Sequence, residues 1–323
     1  MNFELILPFL RPIEPLLLDD SISEIMGNPD ASWWYERDGI VRREMSISFD
    51  AGRLRTGLEV IANQLGKRLD EDNPVLHAHL PDGSRLAAVI PPVVRPAPAL
   101  TIRKFTSRHY TVNDLIARGT LTRSLADFLE EQIRNGKTLL ISGGTGTGKT
   151  TLLRILANAI PEQERIVVIE DTAELHIQKP NILAVECQTD TFKANISFDD
   201  LLKSALRWRP DRIILGEVRG IEARTLLDSF NTGHAGSLAT IHANSAEKAL
   251  SRFANLVMRS HAQTTFSDVE AEIGEAVNFV VHVERQPGRR MISEVLALRG
   301  YDRDAKRFLI ESIYEPYRNA IPA

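Results

Sequence analysis

Cysteine is nearly absent: Cys187 is the only one in 323 residues. That excludes a disulfide scaffold and a Cys-rich metal site, and a reducing compartment fits. Long apolar runs are missing too, since no stretch approaches the roughly 20 residues that span a bilayer. The opening MNFELILPFLRPIEPLLLDD is apolar only in patches. Glu4, Arg11 and Glu14 interrupt it, and Pro8, Pro12 and Pro15 break it. Without a basic start or a cleavage site it does not read as a signal peptide. Nor is there a surplus of positive charge. Lys+Arg 39 against Asp+Glu 43 gives a net −4, and no basic stretch interleaved with aromatics offers a track for a nucleic-acid strand. These absences leave a cytoplasmic protein without a transmembrane segment, able to dock peripherally on a membrane complex.

What is present concentrates in Thr138 to Leu153, TLLISGGTGTGKTTLL. Leu139, Leu140 and Ile141 read as a buried parallel strand. Gly143-Gly144-Thr145-Gly146-Thr147-Gly148-Lys149-Thr150 is a full match to G-x-x-x-x-G-K-[ST]. Thr151, Leu152, Leu153 and Ile155 then open an amphipathic helix that Pro161 stops. The glycines let backbone N–H groups converge at a helix N-terminus, where partial positive charge favours phosphate. Residues 143 to 151 are therefore the expected contacts for the phosphates of ATP. Lys149 would reach the β- and γ-phosphates, and the Thr150 hydroxyl would ligate Mg2+. A turn that merely joins strand to helix has no need of the Lys-Thr pair. No N-K-x-D supports guanine specificity, and no L-S-G-G-Q supports a transporter cassette.

In chain order, residues 1–105 read as a small mixed α/β domain. Trp33-Trp34-Tyr35, Glu36-Arg37-Asp38-Gly39 and Ile40-Val41 suggest strand, turn and strand. Leu54, Leu58, Ile61 and Leu65 recur at helical spacing before Gly66. A second hairpin turns at Pro81-Asp82-Gly83. The twin tryptophans suit a strand core better than an exposed patch, and His77 and His79 share a strand face without acidic or thiol partners. Pro91, Pro92, Pro96 and Pro98 rule out a central strand and lead to Thr101-Ile102-Arg103-Lys104-Phe105, after which composition changes. Residues 106–122 are read as a linker and first helix, and 123–323 as the nucleotide domain. There, apolar strands alternating with amphipathic helices predict a parallel sheet. The tail predicts a meander over Val277–Glu284, Met291–Arg299 and Arg307–Tyr314, with turns at Gln286-Pro287-Gly288 and at Tyr301-Asp302-Arg303-Asp304.

Three further segments narrow the chemistry. Ile166-Val167-Val168-Ile169-Glu170-Asp171 is an apolar strand ending in carboxylates. In an open parallel sheet that end faces the ligand crevice, so Glu170 either orients and deprotonates a water, holds Mg2+ through water, or caps the next helix. Arg212 to Arg219, RIILGEVR, has the form of a Walker B strand, with Gly216-Glu217 in place of the usual aspartate. Arg219 could sense phosphate or pair with Glu217. Between Thr232 and Asn244 a strand is flanked by His234 and His242. His242, at the carboxyl end, could donate to a γ-phosphate or orient a carboxylate, whereas His234 suits a turn or a neighbouring subunit.

Together, GGTGTGKTT, VVIEDTAEL, LRWRPDRIILGEVRG and NTGHAGSLATIHANSA resemble the secretion traffic ATPases of type IV secretion and conjugative transfer, relatives of those driving type II secretion and pilus assembly. The match spans about 138–259, in the family's order of P-loop, Asp box, Walker B and His box. No four-cysteine zinc insert is present, which favours the type IV or tight-adherence branches. The resemblance implies an N-terminal α/β domain followed by a RecA-like P-loop domain, and a homohexameric ring with nucleotide between the two domains. It also implies roles for Lys149, Thr150, Glu170, Glu217 and His242 in ATP hydrolysis, with Arg219 beside them. Arg85 and Arg103 would approach the phosphates, and inner-membrane components of a secretion or pilus apparatus would be the partners. The rival readings are a ring-shaped nucleic-acid translocase, which the −4 charge disfavours, and a non-hydrolysing nucleotide-gated scaffold, which the full acid set disfavours.

Overall fold

A computed structural model describes residues 7–37, 39–105, 110–188, 195–260, 264–286 and 289–316. Residues 1–6, Asp38 of the first predicted turn, the linker's start at 106–109 and Pro287-Gly288 lie outside these. The chain divides into two compact units, Met1–His109 and Tyr110–Ala323.

The first unit is a single antiparallel sheet under one long helix. After α1 (Glu14–Leu18) come β1 (Ile22–Gly27), β2 (Trp33–Arg37), β3 (Ile40–Glu44), α2 (Ala51–Gln64), β4 (Val75–His79), β5 (Arg85–Val89) and β6 (Ala99–Arg103), with sheet order β3-β2-β1-β6-β5-β4. Asp50 caps α2 by accepting from the Arg53 N–H. Leu54, Leu58, Ile61 and Ala62 bury one face of α2 against Ile25, Trp33, Leu86 and Ile102. Alternation resolves the tryptophans. Trp33 is buried, while Trp34 is half-exposed, with its Nε1–H donating to Ser32 Oγ at 3.2 Å. His77 and His79 are exposed. Neither α1 nor β1 is anticipated from sequence, because each is short and its apolar residues lack a clean period.

The second unit holds α3 (Val112–Ala117), α4 (Arg123–Arg134), β7 (Leu139–Gly143), α5 (Lys149–Ala157), β8 (Ile166–Glu170), β9 (Ile182–Glu186), α6 (Phe198–Ala205), β10 (Arg212–Val218), α7 (Glu222–Asn231), β11 (Leu238–His242), α8 (Ala246–Met258), α9 (Phe266–Ala276), β12 (Phe279–Gln286), β13 (Arg289–Asp302) and β14 (Arg307–Tyr314). Its eight strands run β14-β13-β12-β7-β11-β10-β8-β9. Strands β12, β7, β11, β10, β8 and β9 are parallel neighbours. The sheet is covered on both faces, as a parallel sheet requires. Leu139 and Ile141 pack with α3, α4 and α5 on one face, and Leu140 with α6, α7, α8 and α9 on the other. The terminal meander is present but is no separate layer, because β12 pairs in parallel with β7 from Phe279↔Leu139 to Val283↔Gly143. Helix α9 has no counterpart in the sequence reading. Its cap is orthodox, with Thr265 accepting from the Asp268 N–H, but an apolar face of only Val269 and Ile273 among small residues gives a weak period.

Arg212, at the start of β10, is buried, pairs with Glu164 and donates to the Gly236 carbonyl at 3.0 Å. Gly236 has φ +81°, and a Cβ there would lie 1.4 Å from Arg212 Nη1. Gly233 also has positive φ but nothing within 4 Å. Gly233→Ala should therefore cost only left-handed strain, roughly 1–2 kcal/mol. Gly236→Ala also crowds the Arg212 guanidinium and brings a methyl group 2.9 Å from the Gly136 backbone, and should cost roughly 1–3 kcal/mol more. Urea midpoints of the two variants measure the gap, and equal midpoints would remove the Arg212 argument.

Candidate nucleotide-phosphate site

Four strand ends build the site. β7 is buried along its length and stops at Gly143, where a Cβ would stand 2.4 Å from the Val283 carbonyl oxygen. The chain loops through Gly146 and Gly148, both in the left-handed region at φ +69° and +95°, and enters α5 at Lys149. The N-caps of α2, α3, α4, α6, α8 and α9 each accept from their own first turn. Gly148 has no side chain with which to do so, so the first N–H groups of α5 have no side-chain cap and could accept an anion. The buried Lys149 ammonium donates to the carbonyls of Gly143 and Gly144 at 3.1 and 2.7 Å. Thr147 closes the loop by donating to the Gly144 carbonyl at 3.0 Å. Thr145 lies in the loop, and Thr150 and Thr151 in the first turn of α5.

Parallel register brings the other segments to the same sheet edge. Gly143 is level with His242 across β7–β11. On β10 the register with β11 shifts between Leu215 and Val218, where the Thr240 hydroxyl donates to the Gly216 carbonyl at 2.6 Å. A Cβ on Gly216 would be 3.3 Å from Glu170 Cγ on β8. The Gly-Glu form of this Walker B strand thus has a steric reason: glycine makes room for one carboxylate, and the next residue supplies another.

The two carboxylates meet opposite surroundings. Glu217 lies between donors: His242 Nε2 stands 3.1 Å from its Oε1, and Arg219 Nη2 donates to its Oε2 at 2.9 Å. Arg219 also donates to Asp171 at 3.1 Å, and these carboxylate bonds hold its pKa above the usual guanidinium value. Of the two roles open to Arg219, pairing is the one seen. Burial, then the nearby Lys149 charge, lowers the pKa of His242 despite the Glu217 carboxylate. A neutral imidazole therefore presents its Nε2–H to Glu217. Glu170, by contrast, is 5% exposed, and burial pushes its carboxyl up to about 7 against two opposing bonds from the Glu174 and Leu175 N–H groups, each 3.0 Å. It therefore caps the turn after β8, which leads to strand β9 and not to the expected helix, and it titrates near neutrality.

His234 serves a turn: its Nδ1 is 3.0 Å from the Pro210 carbonyl and its N–H donates to the Ser229 carbonyl. Arg85 and Arg103 belong to the first unit, directly opposite each other on β5 and β6. Sequence reasoning misses Arg285 and Arg290. Arg290 Nε donates to the Gly146 carbonyl at 2.9 Å. The signal was the basic end of the β12–β13 hairpin, but nothing local ties that hairpin to the P-loop.

The Glu170 shift makes stability depend on pH. Between the ordinary 4.5 and about 7, the folded chain holds a proton that the unfolded chain has released. Stability therefore falls as pH rises through that window and stays lower above it. Glu170→Gln lacks this penalty. It should match wild type near pH 4.5 and exceed it at pH 8 by about 2–3 kcal/mol, measured by urea unfolding. A difference that does not change with pH would refute the buried-carboxyl account.

Comparison with known proteins places the chain in a family. The family described as Type II/IV secretion system protein matches residues 10–300. Conjugal transfer protein TrbB of Rhizobium radiobacter is 36% identical over 292 residues, covering 88% of this chain and 86% of that protein. Type IV secretion system protein PtlH of Bordetella pertussis is 33% identical over 307 residues, covering 87% and 90%. Among solved structures, the ATPase DotB of Legionella pneumophila superposes with a TM-score of 0.60 at 19% identity, covering 95% of this chain and 83% of that one, a likeness of fold. With a complete P-loop on a parallel sheet and nearly its whole length matched, the chain belongs to the type II/IV secretion system protein family.

Proposed function

We propose that this chain hydrolyses Mg2+-bound ATP as one subunit of a hexameric ring. Its output would be nucleotide-driven movement of one domain against the other, powering a conjugative or type IV secretion machine from the cytoplasmic face of the membrane. One observation carries the reading: a full P-loop shares its sheet edge with a neutral histidine, a carboxylate held by donors, and a carboxyl titrating near 7. Names of close relatives, conjugal transfer and type IV secretion proteins, support the machine. Among the described residues no helix is long and apolar enough to cross a membrane, which suits peripheral docking.

In this reading the Lys149 ammonium exchanges its two loop carbonyls for β- and γ-phosphate oxygens, and the first N–H groups of α5 share the remaining charge. Thr150 and Glu217 offer hard oxygens to Mg2+, directly or through water. Among the described residues no three His, Cys, Asp or Glu side chains form a cage, as expected of a cation held largely by nucleotide and water. Once bound, it would neutralise charge on the transferring phosphoryl group. Glu170 has the basicity to take a proton from the attacking water at neutral pH. Glu217, held by His242 and Arg219, is suited to holding a cation in place.

Lys149→Ala should abolish phosphate release and weaken ATP binding; wild-type turnover in it would sink the P-loop assignment. Glu170→Gln should bind ATP normally and hydrolyse it poorly, whereas Glu217→Gln should raise the Mg2+ requirement. ATP affinity measured across a Mg2+ titration separates the two, and the opposite pattern would exchange their roles. Hydrolysis per subunit should fall on dilution to monomer; a constant rate would remove the ring.

A further inference from the structure

The β12–β13 hairpin reaches the P-loop from outside. Val283 and Ile292 are cross-strand partners on β12 and β13, and both pack into the core beneath α5. Arg285 and Arg290 are the next such pair towards the hairpin's end and continue the same face by strand alternation, as the P-loop contacts below bear out. Glu284 and Arg289 fall on the other face. Glu284 lies 3.8 Å from His282, and Arg289 donates to Gln286 Oε1 at 3.2 and 3.1 Å. Two arginines therefore stand directly opposite each other, both exposed, an arrangement that is unfavourable by itself.

Both lie against the loop. Arg290 Nε donates to the Gly146 carbonyl at 2.9 Å. A Cβ on Gly146 would be 3.2 Å from Arg285 Nη1, and one on Gly148 would be 3.4 Å from Arg290 Cδ. The Gly146 carbonyl belongs to the same trans peptide unit as the Thr147 N–H, and the two point in opposite directions. A donor that holds the carbonyl outward therefore aims the N–H inward, into the concavity. Gly146 at φ +69° has no Cβ to restrict its backbone, so an external anchor can restrain it.

Resting on the nucleotide reading above, we infer that Arg290 is a positioning residue of the phosphate cradle: it pins the Gly146–Thr147 peptide so that the Thr147 N–H is preset to meet a phosphate oxygen. The anchored group is a neutral carbonyl on the outside of the loop. Arg290 therefore acts on phosphate through the backbone and makes no ion pair with it. The cradle is thus completed by the same chain's own terminal hairpin, more than a hundred residues away in sequence.

The test is binding of ATP and of inorganic tripolyphosphate to the full-length chain by calorimetry, in wild type, Arg290→Ala and Arg290→Lys, at two salt concentrations. Loss of one preset donor to a charged group should weaken both ligands by about the same factor, on the order of tenfold. Lysine, which keeps a donor, should restore part of it, and the salt dependence should stay that of wild type. Unchanged affinity in Arg290→Ala would overturn the inference. So would a loss confined to ATP, which would place the arginine on the base. A loss with a flattened salt dependence would also overturn it, since that would mark a direct ion pair. If wild type binds neither ligand, the nucleotide reading itself fails, whereas wild-type binding that Lys149→Ala abolishes and Arg290→Ala leaves intact removes only Arg290.

Discussion

The close approach of the Val283 carbonyl to Gly143 governs the second unit. A side chain at position 143 would meet that oxygen at 2.4 Å and the Thr147 hydroxyl at 2.7 Å, so only glycine can end β7 there. Because it does, β12 pairs with β7 up to the loop's first residue. The loop then leaves the sheet between two parallel neighbours, β11 and β12, and the following helix lies over the core. The same register brings His242 level with Gly143 on one side and delivers the terminal hairpin on the other. A phosphate cradle is usually described by its own glycines. Here its position is fixed by a strand that comes some 140 residues later, and the terminal meander belongs to the site as much as to the sheet.

Two glutamates at neighbouring strand ends are driven apart chemically by what surrounds them. Glu217 accepts from an arginine and faces a neutral histidine. Glu170 is enclosed by apolar strands with only two backbone donors, and burial dominates its titration. Gly216 is the hinge of this arrangement, because any larger residue would crowd Glu170. One carboxylate is thereby suited to holding charge in place and the other to moving a proton.

Much of this was legible in the sequence, and the failures share a cause. The P-loop, the alternation of strands and helices, and the acids at strand ends all follow from short-range pattern, because chain direction in a parallel sheet decides which strand ends face the ligand. Where a residue's role depended on a distant neighbour, pattern was silent. For Arg219 the sequence suggested Glu217 as a partner but not Asp171, which it also holds. The Gly-Glu pair looked merely unusual until Glu170 was seen against it. Arg285 and Arg290 drew no reading at all, because their contacts with the P-loop span more than 130 residues. Helix α9 was lost for a different reason: an apolar face made mostly of small residues gives too weak a period to stand out.

The site also divides into parts of unequal rigidity. The strands beneath it are fully buried and close-packed, and interiors of that kind do not deform gradually. Arg219 is different, for its side chain is half exposed and shared between carboxylates at the ends of adjacent strands, Asp171 after β8 and Glu217 on β10. Ion pairs so placed contribute little to stability, so little free energy opposes their rearrangement. Glu217 touches both Arg219 and His242, and His242 feels the charge of Lys149. Any change in charge at the loop therefore acts first on this exposed network, across three strand ends, while the sheet below keeps its register. A rigid platform under a loosely held ionic layer lets charge in the cradle alter side-chain pairing at the surface without disturbing the fold.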